Sequence, residues 1–350
     1  MFRNEVNMCA LWLIFGFLSP CFAQVKGPVE LAALGDDERA AYQAVEHDPR
    51  PKSLTRNSHY VVSDEKDHHL LREPINGIGG AYIGVGTNQN YEFIPWAQSD
   101  VVFLLDFDQV IVDLHAVYRL AFEHSADPAA FVKFWSRSNV KTVEALIKQH
   151  ISTTQKQQAA LAAYRMARVA TLGKLKRLVR LHKTKRVASY LTSIDQYQYI
   201  VKLFRTGRVF RVRGDLTAQK TMRQIGDALK RFNRYLGVIY VSNCEQYFHR
   251  LPQAYRDNML RFPVSERSLV LRTRPWLESI DREGSESKPK TCANCKTRGT
   301  LHYAYMYQDF KNLRTWLTDS NTTSLWQMVS KRDTRVKHRA YHQARLPKSK

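Results

Sequence analysis

Two glycines and several acidic and amide side chains stand at spacings suited to binding a nucleoside. Gly84 and Gly86 follow a short apolar run, and Asp106 and Asp108 end a second apolar run. Glycines at a strand-to-helix turn let the backbone approach a ligand, and free N–H groups at the next helix favour a polar or anionic group. An acid about 20 residues further on can accept hydrogen bonds from both hydroxyls of a ribose. Asn88, in the same turn, is predicted to line this site; glycines with a purely steric role are the alternative.

Two later strands are also predicted to end in polar groups. Asp215 follows the predicted strand 208–212, and Ser242 and Asn243 follow the predicted buried strand 238–241. The ligand crevice of an open α/β sheet lies outside the carboxyl ends of its strands, so these side chains are expected to converge with the glycine turn. The alternative is that Asp215 and Ser242 only cap turns.

The block Val241-Ser242-Asn243-Cys244-Glu245-Gln246-Tyr247-Phe248 is the most specific part of a resemblance that also covers residues 82–91, 104–106 and 213–217. With these blocks the chain resembles a family of uncharacterised bacterial proteins with a class I S-adenosylmethionine methyltransferase-like core. The resemblance implies a Rossmann-like α/β fold and S-adenosylmethionine as cofactor. It places Asp106 at the ribose, Asp215 near the adenine, and the Ser-Asn-Cys-Glu loop at the reacting group.

Candidates for proton transfer are few. No pair of residues in the sequence stands out as a nucleophile with its base, and His115 and Glu245 are the best single candidates. A lone histidine on a helix next to a strand tip is more often structural. A ligand-binding protein of the cell envelope, without catalysis, is therefore an alternative to a methyltransferase.

A second alternative comes from the run 104–113, which resembles the signature of haloacid dehalogenase-type phosphatases. In those enzymes the first carboxylate, here Asp106, attacks phosphorus, and the second, here Asp108, acts as acid and base beside magnesium. The order of the parts argues against it, because a glycine-containing strand precedes the acidic strand and Asp215 has no second acid beside it.

The charge of the chain favours anionic partners. The 350 residues carry 54 Lys and Arg against 32 Asp and Glu, a formal net charge of +22. Much of the excess lies in residues 174–213, where Tyr190, Tyr197, Tyr199 and Phe204 are interleaved with the basic residues. This composition suits nucleic acid or another polyanion. A solvated basic face, with the aromatic residues in the core, is the alternative.

The order of segments predicts one large exported domain. Residues 1–23 are expected to be a signal peptide, 24–70 an irregular extension with one helix, and 326–350 a basic disordered tail. Residues 71–325 are expected to form a mostly parallel sheet with an antiparallel final pair, 268–273 and 300–307. No run after the signal has transmembrane length.

A large helical insertion is expected at about residues 111–205, with an apolar stripe directed to the core. The cysteines indicate no metal site: Cys292 and Cys295 are expected to form a local disulfide, and Cys244 to be buried as a small hydrophobe. S-adenosylmethionine is a cytoplasmic cofactor, so the predicted export and the predicted cofactor conflict.

Overall fold

The computed structural model describes residues 31–276, 302–329, 334–337 and 340–347. The predicted signal peptide and the pair Cys292 and Cys295 lie outside this part. Within it, eight strands form one sheet: β1 (Ala81–Val85), β2 (Val101–Asp106), β3 (Val209–Arg213), β4 (Leu236–Tyr240), β5 (Val264–Trp276), β6 (His302–Asp309), β7 (Thr334–Lys337) and β8 (Ala340–His342).

Helices cover both faces of the sheet. Those of the described part are α1 (Asp36–Gln43), α2 (Arg72–Ile75), α3 (Asn90–Ala97), α4 (Gln109–Glu123), α5 (Pro128–Phe134), α6 (Val140–His150), α7 (Thr154–Lys185), α8 (Ile194–Arg205), α9 (Thr221–Arg231), α10 (Gln253–Arg261), α11 (Phe310–Thr318) and α12 (Leu325–Met328).

The sheet order is β3-β2-β1-β4-β5-β6-β8-β7. Strands β1 to β5 pair in parallel, and β6 pairs antiparallel with β5. The order 3-2-1-4-5 reverses direction between β1 and β4, which makes the carboxyl ends of those strands a ligand crevice in doubly wound sheets. The predicted Rossmann-like α/β class and the antiparallel pair are confirmed.

Alternation along the strands divides the apolar side chains between two cores. Tyr82 and Leu104 point to the layer that contains α3 to α8, whereas Ile83 and Leu105 point to the layer that contains α1 and α9 to α12. Every residue of β1, β2 and β4 is buried, as expected for parallel strands with helices on both faces. The strand tips are therefore held rigidly from both sides.

The predicted helical insertion is confirmed as α4 to α8. Three of its five helices begin at capping side chains: Asp108 accepts from the N–H of Val110, Asp127 from that of Ala130, and Thr153 from that of Lys156. The apolar stripe of α7 faces the core, with Tyr164 and Leu175 fully buried. Of the interleaved aromatics, Tyr190, Tyr197 and Phe204 are buried and Tyr199 packs against them, so these rings belong to the core.

Two parts of the chain differ from the prediction. Lys174, predicted within the basic surface, is only 4% exposed, because it lies on the inner face of α7 beside Leu175 and Leu178. The tail predicted to be disordered contributes β7 and β8, and β8 pairs with the outer edge of β6. That edge offers unpaired backbone groups, which a short strand can satisfy despite the basic composition of the tail.

Candidate functional site

A cavity of about 560 Å³ lies at the carboxyl ends of β1 to β4. Five of the predicted binding residues line it, namely Gly86, Asp106, Asp215, Ser242 and Asn243. The strand tips thus bring together residues that are up to 157 positions apart in the sequence, Gly86 to Asn243. The opposite wall is formed by residues 51–64, which were predicted to belong to the irregular extension 24–70.

The two glycines of the turn have different roles. Gly86 lines the cavity with φ at +90°, a conformation that L side chains rarely adopt. Gly84 lies inside β1, away from the cavity, where a Cβ would stand 2.0 Å from Oδ1 of Asn90. That same oxygen accepts a 2.7 Å hydrogen bond from the hydroxyl of Tyr82. Gly84 therefore allows α3 to lie close to β1, and Gly86 shapes the ligand side.

Asn88 lies behind the cavity lining rather than in it. Its side chain is fully buried, and Oδ1 accepts hydrogen bonds from the N–H of Ser63 at 3.1 Å and the hydroxyl of Thr87 at 3.3 Å. Asn88 thereby joins the glycine turn to the segment that forms the opposite wall.

Asp106 is the most perturbed acid of the cavity. Burial raises the pKa of its carboxyl to about 7, even though backbone N–H groups, including that of Asp108 at 2.9 Å, partly offset the effect. In the described part of the chain no cationic side chain pairs with it. An acid that has lost its hydration without gaining a counter-ion is well placed to bind a polar ligand.

Asp108 is already engaged at the same strand tip. One carboxylate oxygen caps α4 by accepting from the N–H of Val110 at 3.0 Å, and the other lies 2.6 Å from Nδ1 of His59. Asp108 therefore orients the start of α4 and fixes one point of the opposite wall.

Asp215 and Ser242 combine cavity lining with turn formation. Asp215 accepts from the N–H and the hydroxyl of Thr217, at 2.8 and 2.7 Å. Ser242 follows β4 with φ at +52°, an uncommon conformation for a residue with a side chain. Its hydroxyl donates to Oε1 of Glu65 at 3.0 Å. Cys244, next to them, is half-buried and lines the cavity, in contrast to the buried position expected for it.

The two candidates for proton transfer do not line the cavity. His115 accepts from the hydroxyl of Tyr91 and donates to the carbonyl of Gly86, both at 2.8 Å, and burial lowers the pKa of its ring to about 3. Glu245, 1% exposed, accepts from Nε of Arg272 at 2.5 Å and from the hydroxyl of Tyr255. His115 supports the glycine turn from behind, and Glu245 joins β5 to α10.

Residues 60–344 match a protein family described as a domain of unknown function, DUF7790. The chain belongs to this family. The match covers the sheet, the cavity lining of every strand tip and the strands of the tail. No curated protein matches the chain.

None of the helices in the described residues is both long enough and apolar enough to cross a membrane. The same residues contain no cluster of three or more His, Cys, Asp or Glu side chains placed to hold a metal ion.

The sequence reasoning missed the wall of the cavity formed by residues 51–64. This segment supplies Arg56, Tyr60 and Asp64 to the lining, and Asp64 accepts a 2.5 Å hydrogen bond from the hydroxyl of Tyr303. It has no helical or strand periodicity, so pattern analysis gives it no position. The only available signal was the presence of one proline, one histidine and one acid, Pro51, His59 and Asp64, in a mostly polar segment before the glycine strand.

Proposed function

We propose that the cavity binds a nucleoside ligand of the S-adenosylmethionine class and that the chain is a methyltransferase-like protein. The observation that carries the proposal is the position of Asp106. It ends β2 beside Gly86, one strand away from the point between β1 and β4 where the strand order reverses, and its carboxyl has no cationic partner in the described part. An acid at that position of a doubly wound sheet binds ribose hydroxyls.

The residues present fit such a ligand. A volume of about 560 Å³ lies within the range of small-molecule sites, about 300 to 1,000 Å³. Gly86 gives the ligand access to the backbone, Phe107 offers a ring for the adenine, and Asp215 offers an acceptor for its amino group. Ser242 and Asn243 line the part of the cavity assigned to the reacting end. Bound S-adenosylmethionine would supply an activated methyl group there, and the protein's task would be to position the acceptor.

The phosphatase alternative has less support. Its second acid, Asp108, would have to exchange protons with the substrate, but its carboxylate caps α4 and contacts His59. The acidic strand β2 is also followed by the helical insertion, with Asp215 at the tip of its neighbour β3. These positions suit a nucleoside acceptor pair better than a phosphoryl-transfer pair.

A second candidate function is polyanion binding by the outer face of α7. Lys176, Arg177, Arg180 and Lys183 are exposed there, and in the described part none of them has a carboxylate partner. Side chains of this kind attract phosphate or sulfate groups in a salt-dependent way. This surface is separate from the cavity, so an envelope binding protein without catalysis would use it independently. The exported location is part of the same proposal, and fractionation of cells expressing the full chain tests it.

Equilibrium dialysis against labelled S-adenosylmethionine tests the main proposal. We expect saturable binding by the wild-type chain and at least a tenfold loss in Gly86→Val and Asp106→Ala. The matched control is Asp227→Ala, which removes an exposed carboxylate on α9 that pairs with Arg261. Absence of wild-type binding, or equal binding by Asp106→Ala and the wild type, would exclude the assignment.

A further inference from the structure

Residues 49–64 run along the cavity, from the tip of β3 to the tips of β4 and β5. We call these residues the strap. They contribute to the lining from Pro51 to Asp64, opposite the strand tips. A buried carboxylate stands at each end of the strap: Asp48, 1% exposed, and Glu65, 2% exposed.

Asp48 holds the first end against β3 and α9. Its own N–H donates to the carbonyl of Arg213 at 2.9 Å. Its carboxylate accepts from the backbone N–H of Asp215 at 3.0 Å and from those of Lys220 and Thr221 at 3.3 Å. One side chain thus satisfies the start of α9 and the turn that carries Asp215 into the cavity.

Glu65 holds the second end against β4 and β5. Its carboxylate contacts five side chains that donate hydrogen bonds from three separate stretches of the chain. They are the hydroxyls of Ser63, Tyr240, Ser242 and Thr273 and the ring of His68. The bond from Ser242 joins this end of the strap to the turn that follows β4. Glu65 therefore fixes both the strap and the left-handed Ser242 at the reacting end of the cavity.

The first part of the strap, residues 49–58, is held differently. The hydrogen bonds of residues 49–58 within the described structure are local, such as Asn57 N–H to Leu54 carbonyl at 3.0 Å and Ser58 N–H to Thr55 carbonyl at 3.3 Å. Arg56 and Asn57 have positive φ values, 54° and 49°. Backbone bonded only to its own neighbours opens at lower cost than backbone bonded to a sheet.

We infer that the strap closes the cavity over its ligand, and that Glu65 and Asp48 are the positioning residues that fix its two ends while residues 49–58 move during ligand exchange. The identity of the ligand rests on the proposed function. The existence of the strap does not, because the two carboxylate anchors are properties of the protein itself.

Limited trypsin digestion, read by mass spectrometry, tests the inference. Lys52 and Arg56 are exposed cleavage sites within the strap, and Lys185 and Arg186 are exposed sites at the end of α7. We expect Glu65→Gln to raise the cleavage rate at Lys52 and Arg56 about tenfold relative to the rate at Lys185 and Arg186. Glu266→Gln, which changes an exposed carboxylate, is the matched control and should leave that ratio unchanged.

The ratio distinguishes positioning from loss of the fold. An equal increase at both pairs of sites, or no increase, would overturn the inference. If Glu65→Gln does not fold, Thr273→Val removes one donor to Glu65 at nearly constant shape, and a ratio raised about threefold is then the expected result; an unchanged ratio would contradict it. S-adenosylhomocysteine should slow cleavage of the wild-type strap. A raised ratio in Glu65→Gln without that protection would retain the strap and reject the proposed ligand.

Discussion

Glu65 and Asp106 are two buried carboxylates near one cavity, and their surroundings differ sharply: Asp106 lines the cavity, whereas Glu65 lies behind its lining at the tips of β4 and β5. Burial alone would raise the pKa of Glu65, but the hydrogen bond and charge of His68 and the hydroxyls of Thr273 and Tyr240 outweigh it and lower that pKa to about 2. Within the described residues, Asp106 has backbone donors but no cation beside it, so burial outweighs those donors and raises its pKa to about 7. The protein satisfies the carboxylate of Glu65, and we propose that a ligand satisfies that of Asp106.

The partners of Glu65 continue through the interior. His68 lies between Glu65 and Glu92, at 2.8 and 3.1 Å, and His182 lies 3.1 Å from the other oxygen of Glu92. Lys174 donates to the backbone carbonyl of Glu65. Charges buried with partners of opposite sign are costly to separate, although they add little net stability compared with an apolar core. Glu65 is therefore held by the scaffold, whereas Asp106 is the carboxylate that we propose binds the ligand.

The largest effect on stability should come from removing the carboxylate of Glu65. Glu65→Ala leaves His68 and several hydroxyls buried without their acceptor, and we expect the free energy of unfolding to fall by about 3 to 5 kcal/mol. Urea unfolding followed by circular dichroism measures the change. Glu266→Ala, on the surface, should change stability by less than about 0.5 kcal/mol. Similar losses of stability in the two variants would contradict a structural role for the Glu65 carboxylate.

The pH dependence of stability should report on His68. Burial lowers the pKa of its ring, but Glu92 and Glu65 outweigh burial and raise it to about 9, above the ordinary 6.5. The folded state thus binds the proton more tightly, so the stabilisation is complete below about pH 6.5 and is lost as pH rises through about 9. We expect the wild type to lose about 2 to 3 kcal/mol between pH 7 and 10. His68→Gln should show a smaller loss over the same range, and parallel curves would argue against the raised pKa.

We expect Asp106→Asn to raise the free energy of unfolding, whereas Glu65→Ala lowers it. Because the pKa of Asp106 is raised in the folded state, the unfolded state loses this proton at lower pH than the folded state does. The free energy of unfolding therefore falls as pH rises from about 4 to about 7. Removing the charge should therefore increase the free energy of unfolding at pH 8 by about 1 to 3 kcal/mol, while ligand binding is lost. At pH 4 the gain should vanish. A destabilised variant at pH 8 would show that Asp106 has a structural role.

The smallest effect on stability should come from α7. Two lysines of this helix, two positions apart, again compare an exposed side chain with a buried one. Lys176→Gln, on the exposed face, should change stability by less than about 0.5 kcal/mol and lower the salt concentration that elutes the protein from heparin. Lys174→Gln, on the buried face, should cost about 1 to 3 kcal/mol. Unchanged elution of Lys176→Gln would count against polyanion binding by this face.

The sequence predicted the parts of the molecule in which local pattern and environment agree. The buried strands are apolar runs in the sequence, and the glycines and acids that follow these runs are residue types expected where a strand ends. The strap could not be placed because its position depends on the contacts of Asp48 and Glu65 with segments up to 208 residues away. Lys174 was assigned to the surface because its neighbours in sequence are basic, whereas its neighbours in space are Glu65 and Glu92. His115 and Glu245, predicted as candidates for proton transfer, lie outside the cavity lining, and their hydrogen bonds go to the scaffold.

A crystal structure of the chain with S-adenosylhomocysteine would test the central claim most directly. The account predicts the ribose hydroxyls within hydrogen-bonding distance of the Asp106 carboxylate, the adenine beside Phe107 and Asp215, and the strap closed over the ligand. Density for the ligand away from the tips of β1 and β2, or a cavity without ligand at saturating concentration, would contradict it.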